Sequence, residues 1–564
     1  LNHMRFMGRY LRPHKRALIL STLLSVVSTG LGLVQPYFAK VLIDKVFLGD
    51  RPDLLVPVLA VLIVLLLLAF ATRVSNSYLY THYSARLLFK MREDLLAHLH
   101  KIPLTFFSRS RIGDIYSRIA SDMADVQQLW TVTLPHSLFD VLTCLITIAI
   151  LLWLNWRMAL MSFVFLPVGV IMLRSIRPKL TELSRKIAES NADVAHSLFE
   201  SLSGTSLIRA FGAEDLECRR LRERHADVLQ TLLRYQAVGA LSGSIPTFFI
   251  LVNTLVVFGY GGFSVLGGSL SVGELVAFSI YQGRVFGLLQ SLMDGFLVIQ
   301  KSKVSLERVG EIFAIEPQVR EDGDLILSDE TFRGDIAFHN VSFSYDGGEQ
   351  VLRELSFQIP GGQTTALVGP SGVGKSTICH LILRLFDPTS GVITLDGTDL
   401  KRFSTQWLRS RIALVSQDIF LFHTTIFENI RYARPEASEQ DVVEAARAAC
   451  IHDFILSLPQ GYGTVVGDRG VRLSGGQRQR ISIARTVLLK PKILLLDEAT
   501  AFLDTAVEEE LRSTLEALMG GRTILVISHH ASSIRNAKKI IALGPAGVEY
   551  EGPYDGAYEL NNAG

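Results

Sequence analysis

No two cysteines in this chain stand close enough to make a C-x-x-C pair. The four present, Cys144, Cys218, Cys379 and Cys450, are widely scattered, which argues against a disulfide framework and against a zinc site. Charge is scarce too. Only 20% of the 564 residues are charged and the formal net charge is +2, so no global field points to nucleic acid as a partner. No acidic residue stands among Arg5, Arg9, Arg12, Lys15 and Arg16, ahead of the first apolar run. No small-residue cleavage site separates them from that run, so no signal peptide is read. Leu1-Asn2-His3 reads as a cloning remnant, with Met4 as the natural start. What fills the space left by charge is apolar: 49% of residues are hydrophobic and mean hydropathy is +0.31. That is too apolar for an ordinary soluble protein and points to membrane spans.

Six spans are expected in the first half. The first runs from Ala17 to Phe38, with Gln35-Pro36 as its kink. The second, Leu54 to Thr72, carries no charge and is long enough to cross about 30 Å of hydrocarbon. The third and fourth, Val141 to Trp156 and Met158 to Leu173, are parted by a short polar turn around Asn155 and Arg157. The fifth lies within the uncharged Tyr235 to Gly273. The sixth starts near Leu275 and carries Arg284 and Asp294. Two long segments rich in Lys and Arg, Arg86 to Arg118 and Arg174 to Arg234, lie on the side of the basic N-terminus. The positive-inside rule puts all three in the cytoplasm. Spans two to five then continue as helices beyond the bilayer, turning at Phe107 to Ser110 with Gly113, and at Ser203 to Gly212.

Ionisable residues inside a bilayer are costly and read as functional. Counted along their spans from the outer ends, Asp140 and Arg284 fall within about one helical turn of the same level. They are expected to face a central cavity, paired with each other or binding substrate.

From about Glu316 to Asp335 the composition turns polar. The expected organisation is a membrane domain over 1–318, a linker over 319–334 and a soluble α/β domain over 335–564. That domain is built on Gly369-Pro370-Ser371-Gly372-Val373-Gly374-Lys375-Ser376, which fits G-x-x-x-x-G-K-[ST] without a mismatch. It sits between a β-rich run, Thr365 to Val368, and a helix-like run, Thr377 to Phe386, as a phosphate-cradling loop requires. Glycines turn successive N–H groups inward, and the helix start adds its positive dipole end. Lys375 can then reach the β- and γ-phosphates, and the Ser376 hydroxyl can ligate Mg²⁺. Leu473-Ser474-Gly475-Gly476-Gln477 opens a second helix and makes a second phosphate-facing site. Ile493 to Asp497-Glu498 is a buried-strand pattern ending in two carboxylates. Asp497 there can hold Mg²⁺ through water, and Glu498 can orient or deprotonate a hydrolytic water. Two more strand ends carry Gln417 and His529. Tyr345 closes Ala337 to Ser344, which alternates like an edge strand.

Taken in order, Tyr345, the phosphate loop, Gln417, the LSGGQ segment, ILLLDE, Asp504 and His529 resemble an ABC transporter nucleotide-binding domain. The first half resembles the six-helix membrane domain of an exporter-type half-transporter of the lipid-flippase and multidrug kind. The fold so implied is a helical membrane domain with long cytoplasmic extensions, fused to an α/β P-loop ATPase with a helical subdomain. The resemblance implies ATP and Mg²⁺ as ligands, with Tyr345 stacking on adenine and Gly369, Ser371, Gly372, Gly374, Lys375, Ser376 and Thr377 around the phosphates. Gln417, Glu498 and His529 are the implied catalytic residues. Ser376, Gln417 and Asp497 hold the metal, while Ser474, Gly475, Gly476, Gln477 and Asp504 close over nucleotide from a second copy. Asp468-Arg469-Gly470 resembles the X-loop, with Asp where Glu is usual. Ala501-Phe502 and His530 depart from the family pattern.

One six-span half with one ATPase domain implies a dimer, and an intact set of motifs implies a homodimer. The expected activity is ATP-driven export or flipping of an amphiphile (a lipid, a hydrophobic drug or a peptide) across a bacterial-type inner membrane. The alternatives are an importer on the exporter fold, half of a heterodimer, and a soluble ABC ATPase, which Leu54 to Thr72 opposes. No peptidase-like domain precedes span one, so leader-peptide cleavage is not expected.

Overall fold

The structure is a computed structural model. It describes residues 3–110, 112–319, 323–328, 330–497, 520–527, 537–545 and 547–553. The chain divides into two compact units. One holds Leu1–Leu96 with Ile115–Ala314, the other Ala97–Asp114 with Ile315–Gly564.

The described residues of the first unit form helices joined by short turns. Among the described residues, four helices are long and apolar enough to cross a membrane: Met7–Phe47, Pro52–Leu99, Ile112–Phe163 and Glu214–Leu266. Two further long helices, Phe165–Ser203 and Val272–Ala314, complete the set. The turn expected between spans three and four is a single break. Asn155 has φ −159° and ψ 103° inside Ile112–Phe163, and its Oδ1 accepts from the Met158 backbone N–H at 3.1 Å. An N-cap of this kind restarts a helix directly. The first helix passes through Pro36 without ending and closes in a π-helical segment, Leu42–Phe47. The third holds two more π-helical segments, Arg118–Asp122 and Leu129–Thr133.

A small-residue contact brings helices together where burial alone cannot, since lipid is as apolar as leucine. Gly261 leaves room for the Leu275 side chain, and a Cβ there would strike it. Around it Leu151, Met158, Val257, Phe278, Tyr281 and Val285 form one hydrophobic cluster of this unit. Leu66, Leu67 and Phe70 of the second helix are exposed, as a hydrocarbon-facing surface demands.

The turns at the ends of the long extensions are short helices rather than simple loops. Leu104–Arg109 and Thr205–Ala210 occupy them. Gly113, expected as a turn residue, is helical within Ile112–Ser117; the chain bends instead before Leu104 and at the extended Ser110.

At the opposite ends, the sixth helix begins on a clamp supplied by the first. Asp44 accepts from the Ser271 hydroxyl at 2.5 Å and from the Gly273 N–H at 2.8 Å. Lys40 pairs with Glu274 at 3.0 Å. Glu274 also accepts from the Ser271 N–H at 2.9 Å, and the Ser271 hydroxyl accepts from the Glu274 N–H at 3.0 Å. Orphan N–H groups at a helix start are satisfied here by a box within the helix and a carboxylate from outside it.

The described residues of the second unit form two sheets. β1 (Ile336–Ser344), β2 (Gln350–Ile359), β4 (Ser390–Leu395) and β5 (Thr398–Asp399) form an antiparallel sheet in the order β2-β1-β4-β5. β1 is therefore interior, not the edge strand its alternation suggested; alternation reports one buried face and says nothing about edges. Phe338 and Phe357 stack across β1 and β2 with centroids 4.4 Å apart. The second sheet has the order β10-β9-β3-β8-β7-β6. Its β3 (Thr364–Val368), β6 (Ile412–Val415), β7 (Ile493–Asp497), β8 (Thr523–Ile527) and β9 (Lys539–Gly544) run parallel, and β10 (Gly547–Gly552) is antiparallel to β9. Near-continuous apolar runs in β3, β7 and β8 follow from burial on both faces. One core, around Phe338, Leu367 and Phe403, joins the two sheets. A second joins the parallel sheet to helices over Ile426–Arg431, Glu439–Ala448 and Gly475–Leu489.

Candidate functional site

Parallel strands share one carboxyl edge, and ligands of open α/β sheets bind outside it. The loop after β3 carries the phosphate-binding pattern. β7 ends on Asp497, and β6 runs into Gln417. Val415 of β6 pairs with Leu496 of β7, and Asp497 pairs with Ile527 of β8. The fold thus brings the phosphate loop, Asp497 and the exit toward Gln417 to one edge. Glu498, Asp504, His529, His530 and Ala501-Phe502 lie outside the described residues; Glu498 and His529 come one and two positions after the ends of β7 and β8 in the sequence.

The loop has the shape a polyphosphate needs. Gly369, Gly372 and Gly374 take φ of 152°, 82° and 100°, values that a side chain would strain. Gly374 precedes the helix Lys375–Ile382, which presents its first N–H groups to the loop. A Cβ on Gly374 would stand 2.5 Å from Leu352 Cδ2. Lys375 is buried, and its Nζ donates to the carbonyls of Gly369 and Pro370 at 2.8 and 2.9 Å. Those contacts hold the ammonium over the loop.

Tyr345 is half-buried. Its hydroxyl lies 3.0 Å from Thr377 Oγ1, and its ring meets Phe343 and Phe386 edge-on. The aromatic ring that the sequence marks for adenine is thereby fixed to the phosphate-loop helix.

Asp497 is buried, and its charge is felt inside that same helix. Burial pushes the Cys379 thiol well above its ordinary value, and the Asp497 charge pushes it further. Burial lowers His380, and Asp497 opposes that shift. Both residues follow Ser376 by one turn, so the carboxylate sits close to the helix whose first turn would hold a metal. The residues present fit a Mg²⁺–nucleotide: glycine cradle, lysine, serine hydroxyl and a nearby carboxylate.

Ser474 to Gln477 occupy the other core's side of the unit. Ser474 caps the helix Gly475–Leu489: its hydroxyl accepts from the Gln477 N–H at 3.2 Å, and the Gln477 side chain accepts from the Ser474 N–H at 2.8 Å. Further along that helix, Arg485 donates to the carbonyls of Asn429 and Phe420 at 2.8 and 3.1 Å, and burial lowers its pKa. Asp468 lies in a short turn with its carboxylate 2.6 Å from His423 Nδ1, a partner with no signal in the sequence.

In the membrane unit Asp140 and Arg284 are not paired. Asp140 accepts from Ser291 at 2.6 Å. Ser291 is two turns beyond Arg284 on the same stripe of the sixth helix, so the two charges are nearer two turns than one apart in level. Arg284 instead lies against Gly32, where a Cβ would come within 2.7 Å of Nη2. Depth counted along a helix fixes level only coarsely and says nothing of which neighbour lacks a side chain.

Known proteins resemble this chain over nearly its whole length. A family model described as ABC transporter transmembrane region matches residues 18–289, and one described as ABC transporter matches residues 352–501. A putative multidrug export ATP-binding/permease protein, YgaD of Bacillus subtilis, is 34% identical over 554 residues, covering 97% of this chain and 95% of its own. An ATP-dependent lipid A-core flippase of Desulfotalea psychrophila is also 34% identical, covering 97% and 96%. The solved structure of a bacterial Atm1-family ABC exporter with ATP bound superposes with a TM-score of 0.82 at 27% identity, covering 97% of each chain.

Proposed function

This chain belongs to the ABC transporter family, in which ATP hydrolysis is coupled to transport, and from that premise we propose that two copies of it form an exporter for an amphiphilic substrate. The substrate is a lipid, a hydrophobic drug or a peptide. The membrane is a bacterial-type inner membrane, with the N-terminus and the ATPase half cytoplasmic.

One observation carries the dimer. Among the described residues of the ATPase unit, two helix starts carry glycine-rich patterns suited to phosphate, at Lys375 and Gly475, and they belong to different cores. A second copy supplies the Ser474 to Gln477 end to the first copy's phosphate loop, and the reverse. Each nucleotide is then enclosed by Tyr345 on its base, Gly369 to Thr377 on its phosphates, and the partner's signature helix with Asp504.

In hydrolysis Lys375 neutralises phosphate charge, Glu498 accepts the proton of the attacking water and His529 contacts the γ-phosphate. Ser376, Asp497 and Gln417 are the residues that would hold Mg²⁺, which supplies charge neutralisation to the phosphates when bound. ATP shifts the conformation because it binds the closed pair of ATPase domains better than the open one. The inclusion of Ala97–Asp114 in the same compact unit as the ATPase supports a role for that turn in passing closure to the spans. Asp140 and Arg284 stand on the substrate path as separate polar stations.

Replacing Glu498 by Gln tests the reading. The variant should hydrolyse ATP on the order of 10²-fold more slowly or less and should accumulate as a closed dimer with ATP in size-exclusion profiles. Turnover at the wild-type rate would remove Glu498 from the role of base.

A further inference from the structure

A cavity of about 370 Å³ opens where the turn within Ala97–Asp114 meets the start of the linker and the ATPase domain. All of its lining residues lie in the second compact unit. Its size falls within the roughly 300–1,000 Å³ of small-molecule sites. Its walls are tied down. On the ATPase side, Arg409 of the helix Thr405–Arg411 donates through Nη2 to the Arg384 carbonyl at 3.0 Å. Leu385 of the same wall donates its N–H to the His380 carbonyl at 2.9 Å, so it is fastened to the phosphate-loop helix Lys375–Ile382. The linker is held farther along by Leu325, whose N–H donates to the Arg402 carbonyl at 3.0 Å and whose carbonyl accepts from the Ser404 N–H at 3.1 Å.

The polar lining sorts by sign. The linker contributes acceptors. Gln318 Oε1 is buried and accepts no hydrogen bond, which leaves a cost that a donor would remove. Among the described residues, the Glu316 carboxylate makes no ion pair or hydrogen bond. The turn and the ATPase wall contribute nitrogen groups instead: His100, Lys101 and Arg409. Leu104, Val319 and Leu385 add apolar surface, and Leu104 is 47% exposed.

A plain anion would leave Gln318 Oε1 unpaired and would face Glu316. A plain amine would supply the missing donor but would face the charges of Lys101 and Arg409. A molecule bearing both signs and an apolar group suits every part of the lining. We propose that this cavity binds a small zwitterion of the α-amino-acid type with an apolar side chain. Its ammonium donates to Gln318 Oε1 and Glu316, its carboxylate lies among His100, Lys101 and Arg409, and its side chain rests on Leu104 and Leu385. Bound there, it touches the turn, the linker and the tail of the phosphate-loop helix together, so its affinity is coupled to that of ATP.

Calorimetry on the detergent-solubilised full chain tests this with three probes: leucine, leucinamide and isocaproate. The last two lack the carboxylate and the ammonium respectively. The wild type should bind leucine about tenfold or more tightly than either of them. Gln318→Leu and Glu316→Gln, made separately, should each weaken leucine by about that factor, and thermal stabilisation by ATP checks that both are folded. Saturating leucine should change ATP affinity by about fivefold or more in the wild type, and ATP should change leucine affinity equally. Leucinamide binding as tightly as leucine would overturn the zwitterion in favour of a simple amine. Equal leucine affinity in the wild type and both variants, or no heat at millimolar leucine, would overturn the site. ATP affinity indifferent to leucine would overturn the link to the phosphate-loop helix. These measurements need no turnover, so their failure is distinct from failure of the transport reading, which vesicle uptake measures.

Discussion

Single residues decide whether nucleotide can be held. Gly374 has φ 100° at the mouth of the phosphate-loop helix, with Leu352 and Val351 against the place where a Cβ would stand. Gly374→Ala should therefore strain the loop by about 1–2 kcal/mol and move Lys375 off the phosphates. The expected result is a loss of ATP affinity on the order of tenfold or more, read by titration with a fluorescent nucleotide; unchanged affinity would mean the loop rearranges at no cost. At this scale the sequence was an accurate guide to the backbone shape of the glycine loop after β3. Glycines, lysine and serine act through backbone shape close by in the chain, so their pattern carries their geometry. It was a poor guide to Asp140, whose partner depends on how two distant helices are rotated. It gave no hint of His423 beside Asp468, because neither residue has a pattern that names the other.

Helices and strands show where periodicity suffices. Long apolar runs with basic extensions predicted rods well beyond the bilayer, and Pro52–Leu99 and Glu214–Leu266 are such rods. Asn155 between two apolar runs predicted the break, because an asparagine can cap the helix that follows it. Alternation misplaced β1, since the partner strands on either side come from residues far along the chain. The clamp on the sixth helix was equally hidden: Asp44 meets Ser271 and Gly273 across more than two hundred residues. Asp44→Ala should leave that helix start without its outside acceptor and cost about 1–2 kcal/mol. The check is the thermal midpoint of the detergent-solubilised protein, with Asp44→Ser recovering part of the loss. A midpoint identical to wild type would show that Lys40 and Glu274 suffice on their own.

For the whole molecule the decisive question is which helix start meets which nucleotide. If Ser474 belongs over the partner's phosphates, protein carrying Ser371→Cys mixed with protein carrying Ser474→Cys should form a disulfide-linked pair when ATP is present. The background for that experiment lacks the four native cysteines, and non-reducing electrophoresis reads it; cross-linking confined within a doubly substituted single chain would contradict the shared site. The three π-helical segments bear on how such an assembly moves. Each holds one residue more than a regular turn, so everything on its far side is wound forward by about 100°. Two of them lie in the third long helix, between Arg118, which pairs with Glu311, and Asp140, which binds Ser291. Taking back one surplus residue would spin the Asp140 end relative to the Arg118 end while each peptide group exchanged one ladder partner for the next. That helix therefore carries its own swivel, able to present a different stripe to its neighbours without a hinge or a break.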